Sequence, residues 1–213
     1  MAAQDKAAQD KPDKARQAEP AVMPKARRRA PPPDGTESPA LSLMARPGDG
    51  GIGARQVAIL AADGVAGASI AAVRAALLEA GAVPTVIGPQ LGPVATSDGV
   101  ECLAEGSFEN SPAGLFDAVV LPDGEAGVAL LAGLCQAREF VVNQYRHGKT
   151  ILAIGASETL LGMADISTSL ASGEPDPGVI VGHGSRIDPD LREFIAAIGR
   201  HRHAAREVRP PAV

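Results

Sequence analysis

The stretch that most limits the fold is Thr150-Ile-Leu-Ala-Ile154, followed directly by Gly155-Ala156-Ser157 and a short apolar run to Leu161. A nearly unbroken apolar pentapeptide reads as a strand buried on both faces, as in a parallel sheet. The small residues after it predict a tight turn into a helix. A strand, sharp turn and helix form the elbow on which α/β hydrolytic folds raise a nucleophile above the sheet. Here the tip of the elbow is Gly155, which has no side chain. The expectation is a vacated nucleophile elbow at Gly155, Ala156 and Ser157, with no catalytic residue and a positive φ at Gly155 as the reason for glycine.

The rest of the chain supplies the layers such a strand needs. Gln56–Ala61 reads as a first core strand, and a helix is predicted from about Ala68 to Ala80. Ile70, Val73 and Leu77 share one face of it, Gly81 ends it as a left-handed cap, and Pro84 confirms the stop. Thr85–Ile87 is a second strand. Pro93–Thr96 and Val100–Leu103 flank Ser97-Asp98-Gly99, which signals a hairpin. Asp117–Leu121 is the third core strand, and a helical region broken near Gly133 runs on to His147, with Leu134, Val141 and Tyr145 on one face. Ser169–Gly178 reads as a loop and Val179–Val181 as a last short strand. Asp188 is the expected N-cap of a final helix, with Pro189 at its first position and Leu191, Phe194, Ile195 and Ile198 as its buried stripe. Strands alternating with helices predict an α/β fold, with a doubly wound, mostly parallel, flavodoxin-like sheet, helices on both faces and a small β-hairpin insertion.

Composition divides the chain. Residues 1–37 contain a repeated Ala-Ala-Gln-Asp-Lys, the triplet Arg27-Arg28-Arg29 and the run Pro31-Pro32-Pro33. They offer almost nothing to bury and are expected to be a disordered tail or linker, the arginines being a solvated basic run. Residues 38–54 are expected to lie extended against the domain, 55–205 to form it, and 206–213 to be an unfolded C-terminal tail. The Gly-rich segment before residue 54 precedes a strand rather than following one, so it is not a dinucleotide fingerprint. The first fifty residues hold nine basic and seven acidic residues, the remainder eleven and eighteen. With 2% aromatics and no Trp, neither the charge nor the stacking surface of a nucleic-acid binder is present. No secretory leader opens the chain and no apolar run reaches about 18 residues, so a cytoplasmic protein outside the membrane is expected.

The loops at the strand C-termini, Asp63-Gly64, Pro122-Asp-Gly124 and Gly155-Ala-Ser157, together resemble the class I glutamine-amidotransferase-like superfamily, which includes intracellular proteases and chaperones. In its catalytic members the elbow residue is cysteine, a first-loop carboxylate helps activate it, and the loop after the third strand helps form an oxyanion site. This sequence has Gly155 at the elbow, no Glu in Val65-Ala-Gly-Ala68, and Pro122-Asp123-Gly124 where Pro-Gly-Gly is expected. A more specific resemblance covers nearly the whole predicted domain. Ser38–Leu43, Arg55–Leu60 with Ala62–Val65, Tyr145-Arg-His147 with Lys149, and Arg200-His-Arg-His203 look like the C-terminal domain of large-subunit catalases. In that family the domain is appended to a haem core that dismutates hydrogen peroxide. The resemblance implies a detached or truncated structural and interaction domain, linked to oxidative stress. It implies no haem in this chain, and a catalase core or further copies of the domain as partners. The alternatives are a superfamily hydrolase or chaperone with a relocated nucleophile, or a binder of small ligands at the strand ends.

Other reactive side chains have plainer readings. Ser157 is expected to cap the short helix rather than to attack a substrate. Cys102 and Cys135 make no disulfide framework and read as unreactive thiols. His201 and His203 at i and i+2 share no helix face, so no metal site is expected; an exposed helix end or subunit contact is. Glu101, Glu105 and Glu109 read as a solvated loop.

Overall fold

The computed structural model describes residues 50–183 and 187–208. The tail at 1–37, with Arg27–Arg29, and the first part of the 38–54 linker lie outside the described residues, as does the end of the C-terminal segment. From Gly50 on, the expected architecture is observed. Six parallel strands form one sheet in the order β5-β2-β1-β6-β7-β8: β1 (Gln56–Leu60), β2 (Val83–Gly88), β5 (Gly106–Ser107), β6 (Ala118–Leu121), β7 (Thr150–Ile154) and β8 (Val179–Gly182). The strands β3 (Gly92–Val94) and β4 (Cys102–Ala104) pair antiparallel as a separate hairpin. The helices are α1 (Gly67–Glu79), α2 (Glu125–Gly133), α3 (Cys135–Arg146), α4 (Glu158–Met163) and α5 (Ile187–Gly199).

Successive strand residues feed two cores. Ala58 and Leu60 of β1, Val119 and Leu121 of β6, and Ile151 and Ala153 of β7 pack with α2, α3 and α4. Their neighbours Val57, Ile59, Ala118, Val120, Leu152 and Ile154 pack on the other face with α1 and α5, through Ile70, Val73, Leu77, Leu191, Phe194 and Ile198. Side chains alternate across a strand, so covering both faces requires an apolar residue at every position. This is why all five residues of β7 are buried.

Four local expectations shift. The Asp98-Gly99 turn is not a two-residue hairpin, since seven residues separate β3 from β4. Asp98 instead accepts the Gly67 and Ala68 N–H groups at 3.1 and 2.8 Å, capping α1 from thirty residues away. Ile187 is already helical, so Asp188 and Pro189 lie inside the first turn of α5, where proline's missing N–H costs no intrahelical bond. The edge strand β5 is too short to show a period. Finally, ordered structure passes the expected boundary at 205: Ala204–Val208 form a 3-10 turn in which Arg206 is buried.

That last turn closes the bottom of the sheet. Arg206 donates from Nε and Nη2 to the buried Asp176 carboxylate, the latter bond 3.0 Å long, and from Nη1 to the Lys149 carbonyl at 2.6 Å. Its guanidinium covers the Tyr145 ring, 4.6 Å from the centroid. His203, expected at an exposed helix end, is buried; its backbone N–H donates to the Gly148 carbonyl and its Nε2 lies 3.0 Å from Thr150 Oγ1. Burial, then the Arg206 cation, lowers the His203 imidazole pKa to about 4.

Candidate functional site: an elbow filled by a carboxylate

In a doubly wound sheet, ligands bind beyond the strand C-termini, where the strand order reverses. Here the chain runs from β1 outward to β2 and β5, then returns to β6 and runs outward to β7 and β8. The reversal lies between β1 and β6. Their loops do not diverge: the Ala66 N–H donates to the Asp123 carbonyl at 2.7 Å. Gly124 allows this approach. Its φ is +122°, and a Cβ there would stand 2.7 Å from Ala66 N, Gly64 O and Val65 Cα. Backbone packing thus joins the two loops directly at this point.

The elbow itself is built as expected. β7 ends at Ile154, Gly155 adopts φ +57°, residues 155–157 form a 3-10 turn, and α4 follows. A side chain at Gly155 would overlap the Cγ and both carboxylate oxygens of Asp123. That carboxylate occupies the space above the turn. Its Oδ1 accepts the Gly124 N–H at 2.8 Å and the Ala156 N–H at 2.9 Å. Two backbone donors from different loops therefore converge on one oxygen, the arrangement that stabilises an oxyanion when substrate supplies it. In this chain the anion is its own.

Ser157 does not cap α4, and no side-chain bond does. It is fully buried, and its hydroxyl donates to the Pro122 carbonyl, tying the elbow to the same loop as Asp123. Gly155, Ala156 and Ser157 all thus meet the 122–124 loop. The structure does not bring the other candidates here. Cys102 is buried in β4, where burial raises its thiol pKa. Cys135 is exposed at the start of α3. Glu105 is anchored rather than merely solvated: Arg74 forks onto its carboxylate at 3.0 and 2.8 Å, the Val86 N–H adds a bond at 3.1 Å, and Arg74 foremost holds its pKa low. His201 Nδ1 faces Arg55 Nη1 at 2.9 Å, so His201 and His203 contact different partners. Among the described residues no three His, Cys, Asp or Glu side chains gather as a metal site, and no helix is long and apolar enough to cross a membrane. Asp123 was the residue missed from sequence; its departure from Pro-Gly-Gly was legible, its position over the elbow was not.

Comparison with known proteins gives the family. Residues 53–207 match the family described as the C-terminal domain found in long catalases. A catalase HPII of Pseudomonas putida is 33% identical over 177 residues, 83% of this chain and 23% of that protein. One from Pseudomonas aeruginosa is 34% identical, over 86% of this chain and 24% of that protein. The chain thus spans about a quarter of the length of these relatives. Among solved structures, a two-domain protein with DJ-1/ThiJ/PfpI-like and ferritin-like domains from Anabaena variabilis superposes with TM-score 0.58 at 21% identity, covering 68% of this chain and 48% of that one, a likeness of fold. With the doubly wound parallel sheet, the glycine elbow and a family match running from β1 to the last turn, the chain belongs to the family of C-terminal domains found in long catalases.

Proposed function

We propose that this chain is a non-catalytic structural and interaction domain of the large-subunit catalase type, acting beside a catalase core that carries the peroxide chemistry. The observation that carries this reading is the Asp123 carboxylate at the elbow, satisfied by the Gly124 and Ala156 N–H groups. A substrate carbonyl finds neither a nucleophile above Gly155 nor a free pair of donors. A relocated nucleophile is disfavoured by the same contacts, since Ser157 is buried and its hydroxyl committed to Pro122, and Cys102 is held in its thiol form by burial.

Haem does not fit the residues present. Haem iron in catalases takes a tyrosinate, and Tyr145 is the one tyrosine in the chain. Its ring lies in the core beneath Arg206, and burial first, then Asp176, raises its pKa away from tyrosinate. The adjacent cavity of about 200 Å³ is below the range of ligand pockets. A second reading, a small-ligand binder, is favoured by a cavity of about 430 Å³ beside Asp63, Gln90, Leu91 and Leu130.

The test is oxygen release from peroxide, together with an esterase and glyoxalase screen, on the purified chain with and without added haem. No turnover in any assay is expected. A Soret band at one-to-one stoichiometry, with oxygen release abolished by Tyr145→Phe, overturns the proposal. A thermal-shift screen that finds a ligand, lost in Leu130→Asp, moves the reading to the small-ligand binder.

A further inference from the structure

One step outward along the sheet from the joined loops of β1 and β6, the strand ends open into a cleft. A cavity of about 430 Å³ lies between Asp63 after β1, the segment 89–94 after β2, and Leu130 and Leu134 at the end of α2. That volume falls within the range of small-molecule pockets, and strand C-termini are where doubly wound sheets bind their ligands. Leu91, Pro93, Leu130 and Leu134 supply the apolar walls. Leu91 is 60% exposed and Leu130 52%. Two large aliphatic side chains from separate elements thus border one hollow and are left to water, which is apolar surface available to a ligand.

The polar lining is acidic. Asp63 Oδ1 accepts the Ala95 N–H at 2.9 Å. Its second oxygen and the Gln90 carboxamide have no partner among the described residues, and both offer acceptors to a ligand. The segments around the cleft, 60–66, 88–104 and 122–134, contain Asp63, Asp98, Glu101, Asp123 and Glu125 and no Lys, Arg or His. Arg138, one turn past Leu134, directs Nη2 to Cys135 Sγ and does not line the cavity. A cleft with apolar walls and charge of one sign concentrates ions of the other, here cations. Among the described residues no aromatic ring lines it, so the cage that receives a quaternary ammonium is not available. A cation in this cleft is held by the N–H bonds it donates.

Building on the small-ligand reading, we propose that this cleft binds a small amphiphilic amine, with a primary ammonium donating to Asp63 and Gln90 and an apolar body covered by Leu91, Leu130 and Leu134. The charge and the hydrogen-bonding capacity of the ligand follow from the lining, its size from the cavity. Binding involves no reaction, so the domain remains non-catalytic.

The test titrates the full chain, at about 20 mM salt to limit screening, with 2-phenylethylammonium, its trimethylammonium counterpart and 3-phenylpropionate, following the backbone amides by NMR. The expected result is saturable one-to-one binding of the primary ammonium, with the largest shifts at Gln90, Leu91, Ala95 and Leu130, and binding of the other two probes weaker by roughly tenfold or more. Asp63→Asn, which keeps an acceptor for the Ala95 N–H, should weaken the primary ammonium by roughly tenfold. Leu130→Gln should weaken it severalfold, and Glu109→Gln, which removes a like charge outside the cleft, should leave it unchanged. The comparison of probes on the unaltered chain decides the matter even where a variant fails to fold. Tighter binding of 3-phenylpropionate at these amides, equal binding of the trimethylammonium probe, or a folded Asp63→Asn without effect overturns the proposal and leaves the small-ligand reading standing. No shift at these amides with any probe overturns both.

Discussion

Gly155→Ala should destabilise the domain through two separable effects. The first is backbone strain: at φ +57° an L residue pays about 1–2 kcal/mol. The second is displacement, because the new methyl group overlaps the Asp123 carboxylate. Driving that carboxylate aside removes the acceptor from the Gly124 and Ala156 N–H groups. The site is half-buried, so water recovers part of the loss, leaving about 1–2 kcal/mol. Together these predict about 3 kcal/mol for Gly155→Ala, or roughly 9 °C in Tm for a domain of this size. Asp123→Ala alone should cost about 1–2 kcal/mol, since it too orphans both donors. The double variant incurs the strain and the lost bonds once each. It should be no less stable than Gly155→Ala, giving a coupling of about −1 to −2 kcal/mol in a double-mutant cycle. The chain has no Trp and one Tyr, so urea melts are best followed by circular dichroism at the helix band. Strictly additive costs, or a Gly155→Ala variant as stable as the parent, would refute the account of the filled elbow.

Three further outcomes follow from contacts elsewhere. With the His203 pKa lowered to about 4 in the fold and about 6.5 in the unfolded chain, the unfolded state binds the extra proton between these values. Stability is therefore full above about pH 6.5 and falls toward pH 4, by at most about 3 kcal/mol; melts across that range should show the slope, and His203→Asn should flatten it. Arg206→Ala leaves the Asp176 carboxylate buried without its partner and should cost about 3–5 kcal/mol in urea titration, whereas a tail without structure would tolerate the change. Asp98→Ala removes the acceptor of the Gly67 and Ala68 N–H groups, whose bonds, that of Ala68 foremost, hold its carboxyl below the usual range; amide exchange in the first turn of α1 should quicken while the core amides stay protected.

By itself the sequence determined the layers of this protein. Strands buried on both faces, an apolar stripe such as Leu191, Phe194 and Ile198, and breaks at Gly81 and Gly133 are local patterns, each legible within a dozen residues because helix and strand periods are properties of the backbone. The bend at Gly155 belongs with them, since a glycine between an apolar strand and a helix invites a positive φ. Tertiary structure alone decided what each polar side chain does. Asp123 lies over an elbow 33 residues away, Asp98 reaches beyond its own turn to cap α1, and Arg206 leaves the expected tail for Asp176, 30 residues earlier. Ser157, by its place in the chain a helix cap, bonds Pro122 instead. A polar group accepts whichever partner the packed layers bring within reach, and burial makes leaving it unpaired costly. That choice has no period to leave in the sequence, so the elbow could be read from the chain while the carboxylate that fills it could not.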